Sequence, residues 1–179
     1  GLATGTIKNR MSAVRWWCRK VGNEGAVKKD NDTYKIEKRV YVTNVDKSVS
    51  LKDLDLSQID QNIAQSLRLQ DAFGLRREES MKFGGSMFPK EKSYVFHMRN
   101  FEKVTSALGI GQTHGLRHGY AQNRYFELMG FPCPAVGGIR ELTVEEKQKD
   151  KAIRLQISEE LGHSRINITS TYLGSWSKK

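Results

Sequence analysis

Ile7, Met11, Val14, Cys18 and Val21 recur at alternating steps of four and three residues, which places them on one face of a helix over residues 6–21. Thr4 or Thr6 caps its start and Gly22 follows its end. Lys8, Arg10, Arg15, Arg19 and Lys20 occupy the other face, and Trp16 and Trp17 read as packing residues. From Asn23 to about Ser50 the pattern dissolves into Lys, Asp and Asn, broken by a short extended stretch over 39–43, and this reads as a linker. Apolar spacing returns at Ile59, Ile63 and Leu67, a helix that Ser57 would cap and that ends at Phe73, where Gly74 breaks it before a new helix near Arg76.

Tyr94, Met98, Phe101, Val104 and Leu108 mark the next helix, stopped by Gly109. Another runs from His114 through Tyr120 to Met129 and stops at Gly130. After a Pro- and Gly-containing loop, Thr143-Val-Glu-Glu146 has the form of a capping box and opens a helix whose stripe is Ile153, Ile157 and Leu161, ended by Gly162. Residues 167–174 add one or two further turns, with Asn167 or Ser164 as the cap. The fold class is therefore mainly α, with at most a small β-sheet.

Charge narrows the partners. The 179 residues hold 30 Lys and Arg against 20 Asp and Glu, a net charge of +10 and a pI near 9.7, a balance that favours a polyanionic partner, with a basic surface that merely stays solvated as the alternative. Apolar runs are far shorter than the roughly 20 residues a membrane span requires, and no apolar signal core opens the chain. Cys18 and Cys133 stand far apart without metal-type spacing to histidine, so neither a metal nor another cofactor is expected, and a reducing cytoplasm is.

Three polar constellations remain. Gly74-Leu-Arg-Arg-Glu-Glu79 puts Glu79 one turn from Arg76, where a carboxylate braces a guanidinium or forms a plain surface ion pair. His114 and Arg117 share one face at a helix start, while His118 is read as structural or solvent-facing. His163 follows a helix stop, and Tyr172 closes the next turn nine residues on, either as a half-buried packing tyrosine or beside a phosphate.

The order Arg, His-x-x-Arg, Leu-Gly-His, Tyr over residues 74–172 resembles the tyrosine recombinases, the phage and mobile-element integrase family. The resemblance implies a catalytic set of Arg76, His114, Arg117, His163 and Tyr172, with Glu79 in support. It also implies a small helical DNA-clamping domain ahead of the catalytic one, whose last piece would be residues 1–35, with Lys8, Arg10, Arg15 and Arg19 toward the phosphate backbone and residues 36–179 as the catalytic domain. Duplex DNA would be the partner, a tetramer would form on two duplexes from a monomer in solution, and the bacterial nucleoid would be the location. The family's lysine-bearing hairpin has no counterpart in the 38-residue step from Arg76 to His114, where Gly84-Gly85-Ser86 looks like a linker, and none of Lys82, Lys90 or Lys92 takes the lysine's role. Only seven residues follow Tyr172, which leaves little to exchange with a neighbouring protomer.

The reaction so implied is attack of the Tyr172 phenol on a DNA phosphodiester, giving a 3′-phosphotyrosyl link and a free 5′-hydroxyl. Arg76 and Arg117 would clamp the phosphate with His163 as a further donor, and His114 would take the phenolic proton. Slow cleavage or none is expected without the lysine. A type IB topoisomerase activity and a non-catalytic DNA-binding protein of the same fold are the alternatives.

Overall fold

The computed structural model describes residues 1–38, 40–83 and 88–177, and they form two compact units, Gly1–Tyr41 and Val42–Lys179. The division falls a few residues beyond the boundary at 35 and 36 expected from sequence. The chain is mainly helical, with no strand among the described residues. No helix among them is long and apolar enough to cross a membrane.

In the first unit the helix α1 spans Thr4–Lys20, and none of its residues is buried. Only single 3-10 turns at Glu24–Ala26 and Asp32–Tyr34 accompany it among the described residues. So few residues cannot cover two indoles as well as an apolar stripe. Trp16 and Trp17 are consequently 54% and 61% exposed, which corrects their reading as packing residues. The extended stretch expected at 39–43 forms no strand over 40–43, and Arg39 lies outside the described residues.

In the second unit the helices are α2 Gln61–Phe73, α3 Arg77–Lys82, α4 Tyr94–Ala107, α5 His114–Met129, α6 Pro134–Gly137, α7 Val144–Glu160 and α8 Ile166–Leu173. Helix α5 runs through the middle and divides its apolar residues between two clusters. Leu116 joins Ile63, Leu67, Met81 and Phe101 of α2, α3 and α4. Ala121, Tyr125 and Met129 join Ile153, Ile157, Leu161 and Leu173 on the α7 and α8 side. Burying side chains of this size stabilises by about 1.5–3 kcal/mol each, so α5 is held from both sides.

The caps show how local chemistry places the ends. Asp60, not Ser57, caps α2 by accepting from Asn62 N and Ile63 N, because the preceding 3-10 turn at Leu56–Gln58 is capped by Asp55 and absorbs Ser57. Thr143 and Glu146 form the expected capping box at α7. Neither Asn167 nor Ser164 caps α8, whose N-cap position is Arg165. There the Ser158 hydroxyl holds the connecting loop by donating to the carbonyls of His163 and Arg165. Between α3 and α4 the described residues contain no strand pair, and Gly84-Gly85-Ser86 lies outside them.

Candidate active site

Two helix ends create the site. Gly74 terminates α2 with φ +62°, and Leu161 caps α7, followed by Gly162 at φ +68°. His163 N donates to Ser158 O at 2.7 Å and Gly162 N to Glu159 O at 2.8 Å, the paired bonds of a Schellman motif. The terminal carbonyls of a helix lack intrahelical partners and carry its negative dipole end. Here the Gly74 and Leu161 carbonyls both turn to Arg117 of α5 and accept from Nη1 and Nη2 respectively. Arg117 is only 2% exposed, and a cation so buried requires that kind of company.

Around this buried cation the other predicted residues assemble. Arg117 Nε donates to the Tyr172 hydroxyl at 3.2 Å. Arg117 Nη2 and Arg76 Nη2 each lie 3.2 Å from one atom, His163 Nε2. A guanidinium donates and never accepts, so that nitrogen carries the lone pair and the ring proton sits on Nδ1. Burial and then the charges of Arg117 and Arg76 lower the His163 pKa, in keeping with a neutral ring. His163 therefore joins the two cations through Nε2, and only Nδ1–H remains for the donor role expected of it.

Glu79 braces Arg76 as expected, accepting from Nη1 at 2.5 Å and from the backbone nitrogen at 2.7 Å, and it stands 3.8 Å from Arg117. Burial disfavours its charged form, but the Arg76 hydrogen bonds and the two arginine charges outweigh that and hold the carboxyl below its ordinary pKa. His114 is exposed, with its ring centroid 5.7 Å from that of Tyr172. Although the residue is exposed, its ring is flanked by His118 and Tyr172, and this partial desolvation, then the Arg117 and Arg76 charges, lower its pKa and favour the neutral imidazole at neutral pH.

Tyr172 is 5% exposed and packs in the core cluster of α7 and α8, as the packing alternative expected, but its hydroxyl is engaged by a buried guanidinium and does not lie at the surface. His118 is also 5% exposed, so of its two expected readings the structural one fits and the solvent-facing one does not. Residues four apart on a helix share a face: the two rings meet edge to face at 5.5 Å, and His118 meets Tyr172 at 4.9 Å. Burial, then the charges of His114 and Lys47, push the His118 pKa down to about 4 despite its hydrogen bond to the Tyr172 backbone. Gln122, one turn further, also donates to the Tyr172 carbonyl, at 3.4 Å. The sequence reading missed Gln122, although His114, His118 and Gln122 at steps of four were a visible signal.

A cleft of about 540 Å³ opens beside the constellation, lined by Arg76, Arg77, Thr113 and His114 among others. The side-chain partners of His163 and of the Tyr172 hydroxyl among the described residues are the two arginines and not a lysine; Lys82 is paired with Glu78 at 2.5 Å. No group of three or more His, Cys, Asp or Glu suited to a metal ion occurs among them either. Lys8, Arg10, Arg15 and Arg19 belong to the first unit. Arg15 spends its guanidinium there on Lys28 O, Asn31 Oδ1 and Asp30 O at 2.8–2.9 Å, while Arg10 and Arg19 are exposed and Lys8 is partly so. Compared with protein-family models, curated proteins and solved structures, the chain matches none.

Proposed function

We propose that the chain is a DNA strand transferase of the tyrosine recombinase kind, with Tyr172 as its nucleophile. The observation that carries this reading is the convergence of Arg76 and Arg117 on His163 Nε2, with Arg117 also on the Tyr172 hydroxyl. Two guanidiniums held so close repel each other, and one carboxylate with the neutral acceptors around them answers that charge only in part. A phosphodiester with two non-bridging oxygens supplies the rest, approaching from the cleft that Arg76 and His114 line.

In the reaction the Tyr172 oxygen bonds to phosphorus, the bond from phosphorus to the 5′-oxygen breaks, and the phenolic proton passes to neutral His114. The two arginines stabilise the charge that grows on the non-bridging oxygens. The 5′-oxygen takes its proton from water, for want of a lysine. General acid catalysis contributes about 10²- to 10⁴-fold, so cleavage of an ordinary phosphodiester is slow by that factor. The product is a 3′-phosphotyrosyl link that another 5′-hydroxyl reverses, with duplex DNA as the partner and a tetramer on two duplexes as the working assembly.

The test is covalent trapping on a pool of duplexes of randomised sequence, each with one 5′-bridging phosphorothiolate, whose thiolate leaves without an acid. An adduct that disappears in Tyr172→Phe upholds the reading, and sequencing the trapped DNA identifies the site. A non-catalytic DNA-binding protein is the second reading, favoured by the burial of Tyr172 and by the absence of a lysine from the site's hydrogen bonds among the described residues. Salt-dependent binding with no adduct on any duplex would establish that reading instead.

A further inference from the structure

Tyr172 lies on the last turn of α8, an eight-residue helix without a side-chain cap, so the place of its phenol depends on where the following chain is pinned. Residues 44–49 do part of that pinning. Asn44 pairs with both backbone groups of Ser175, its Nδ2 donating to Ser175 O at 2.9 Å and its Oδ1 accepting from Ser175 N at 2.8 Å. One side chain thereby does what a neighbouring strand would do, three residues beyond the nucleophile.

The same segment is fixed to α5. Val49 N donates to Gly115 O at 3.1 Å, and Gln122 Nε2 bridges Asp46 Oδ1 at 3.1 Å and the Tyr172 carbonyl. A side chain at Gly115 would stand 2.5 Å from Val49 Cγ2 and 2.9 Å from Lys47 O, so glycine there permits the segment to lie directly on the helix that carries His114 and Arg117. Asn44 thus relays the position of α5 to the chain leaving α8. A second anchor, Arg154 Nη1 on Gly174 O at 3.1 Å, remains without it, so losing Asn44 loosens the last turn and leaves the fold intact.

We infer that Asn44 is a positioning residue for Tyr172, setting the phenol against the Arg117 guanidinium through the Ser175 backbone. This rests on Tyr172 being the nucleophile. A misplacement on the order of 1 Å costs about 100-fold in rate when reacting atoms must be aligned, whereas DNA affinity depends on cations that Asn44 does not touch.

Asn44→Ala and Asn44→Asp are compared with the unaltered chain in single-turnover adduct formation on the phosphorothiolate pool, DNA affinity and melting temperature. Nitration of Tyr172 by tetranitromethane without DNA, read by mass spectrometry, is a fourth measure. For Asn44→Ala the adduct rate falls about 10- to 100-fold with Kd within about twofold, melting is nearly unchanged, and Tyr172 is nitrated faster. Asn44→Asp, which keeps only the bond from Ser175 N, lies between. An adduct rate within about twofold of the unaltered chain, or a loss matched by a fall in melting temperature, overturns the assignment. If the unaltered chain forms no adduct on any duplex, the nucleophile reading fails and nitration alone decides: faster nitration of Tyr172 in Asn44→Ala upholds the positioning role, and an unchanged rate removes it.

Discussion

Arg117 and Tyr172, 55 residues apart in sequence, are joined by a 3.2 Å hydrogen bond from Nε to the phenolic oxygen inside a buried pocket. Nη1 also donates to Gly74 O, and Nη2 serves Leu161 O and His163, which leaves one Nη1–H, with Glu79 3.8 Å away, as the donor still open to a phosphate oxygen. Lysine at this position retains the charge but cannot reproduce the fork, and it leaves buried carbonyls without a donor. Arg117→Lys should therefore destabilise by about 1–3 kcal/mol in urea denaturation and lower the adduct rate at least about 100-fold.

Arg76→Lys provides the contrast. Its side chain is 44% exposed and its partners Glu79 and His163 remain open to water, so stability should change by no more than about 0.5 kcal/mol while the adduct rate falls about as far as in Arg117→Lys. Equal loss of stability in the two variants would show that the arginines do not divide into a structural and a surface member.

His114, His118 and His163 all have folded pKa values below the ordinary 6.5, His118 most of all at about 4. Burial, the first cause in each, disfavours the proton in the folded state, so the unfolded chain binds protons first as pH falls. The stability these groups contribute is complete above pH 6.5 and is lost as pH drops from there toward 4. For His118 the loss is on the order of 2–3 kcal/mol, and His118→Phe should flatten the pH dependence in that window, measured by urea titration at a series of pH values.

Gly74 and Gly162 share a left-handed backbone but differ in their surroundings. A Cβ at Gly74 would stand 2.6 Å from Tyr120 Cδ1 and 2.7 Å from Leu161 Cδ2, whereas nothing lies within 4 Å of one at Gly162. Gly162→Ala should cost only the backbone strain, about 1–2 kcal/mol, and Gly74→Ala that strain plus about 1–3 kcal/mol of overpacking. Calorimetric melting of both variants gives the order directly.

Asp150 accepts from three donors: Arg154 Nε, whose one N–H is shared between both carboxylate oxygens at 2.9 Å, the Tyr125 hydroxyl at 2.6 Å and Trp176 Nε1 at 2.9 Å. Arg154 is 5% exposed, so Asp150→Ala strands a buried cation and should destabilise by about 3–5 kcal/mol. Tyr125→Phe removes one bond and should cost about 1 kcal/mol. If urea unfolding gives similar values for the two, the pair is not the centre of this network.

Helix positions were legible in the sequence because they rest on local chemistry. Four-residue apolar spacing and helix-ending glycines marked α2, α4, α5 and α7, and Glu79 at three residues from Arg76 announced its brace. The missed features are those decided between distant segments. Asp60 displaced Ser57 as the cap because Asp55 had already taken Ser57. The burial of His118 came from its contact with Tyr172, and Asn44 meets Ser175 across 131 residues, which no local period encodes. Likewise the pairing of His163 with both arginines depends on where two helices stop relative to a third. The exposure of Trp16 and Trp17 reflects how little chain surrounds α1, which a reading of side-chain type alone does not register.

Because Arg117 is held by carbonyls 43 residues before it and 44 after it, the candidate site does not belong to any one contiguous stretch of chain. A chain with α5 formed but α2 or α7 undocked lacks an acceptor for that cation and cannot aim it at Tyr172. The assembled constellation therefore arrives only with the last long-range contacts, which are also the slowest to form. Under the strand-transfer reading proposed above, a newly made or half-folded molecule would be inert toward DNA, and the power to break a strand would come only together with the architecture that keeps hold of the broken end.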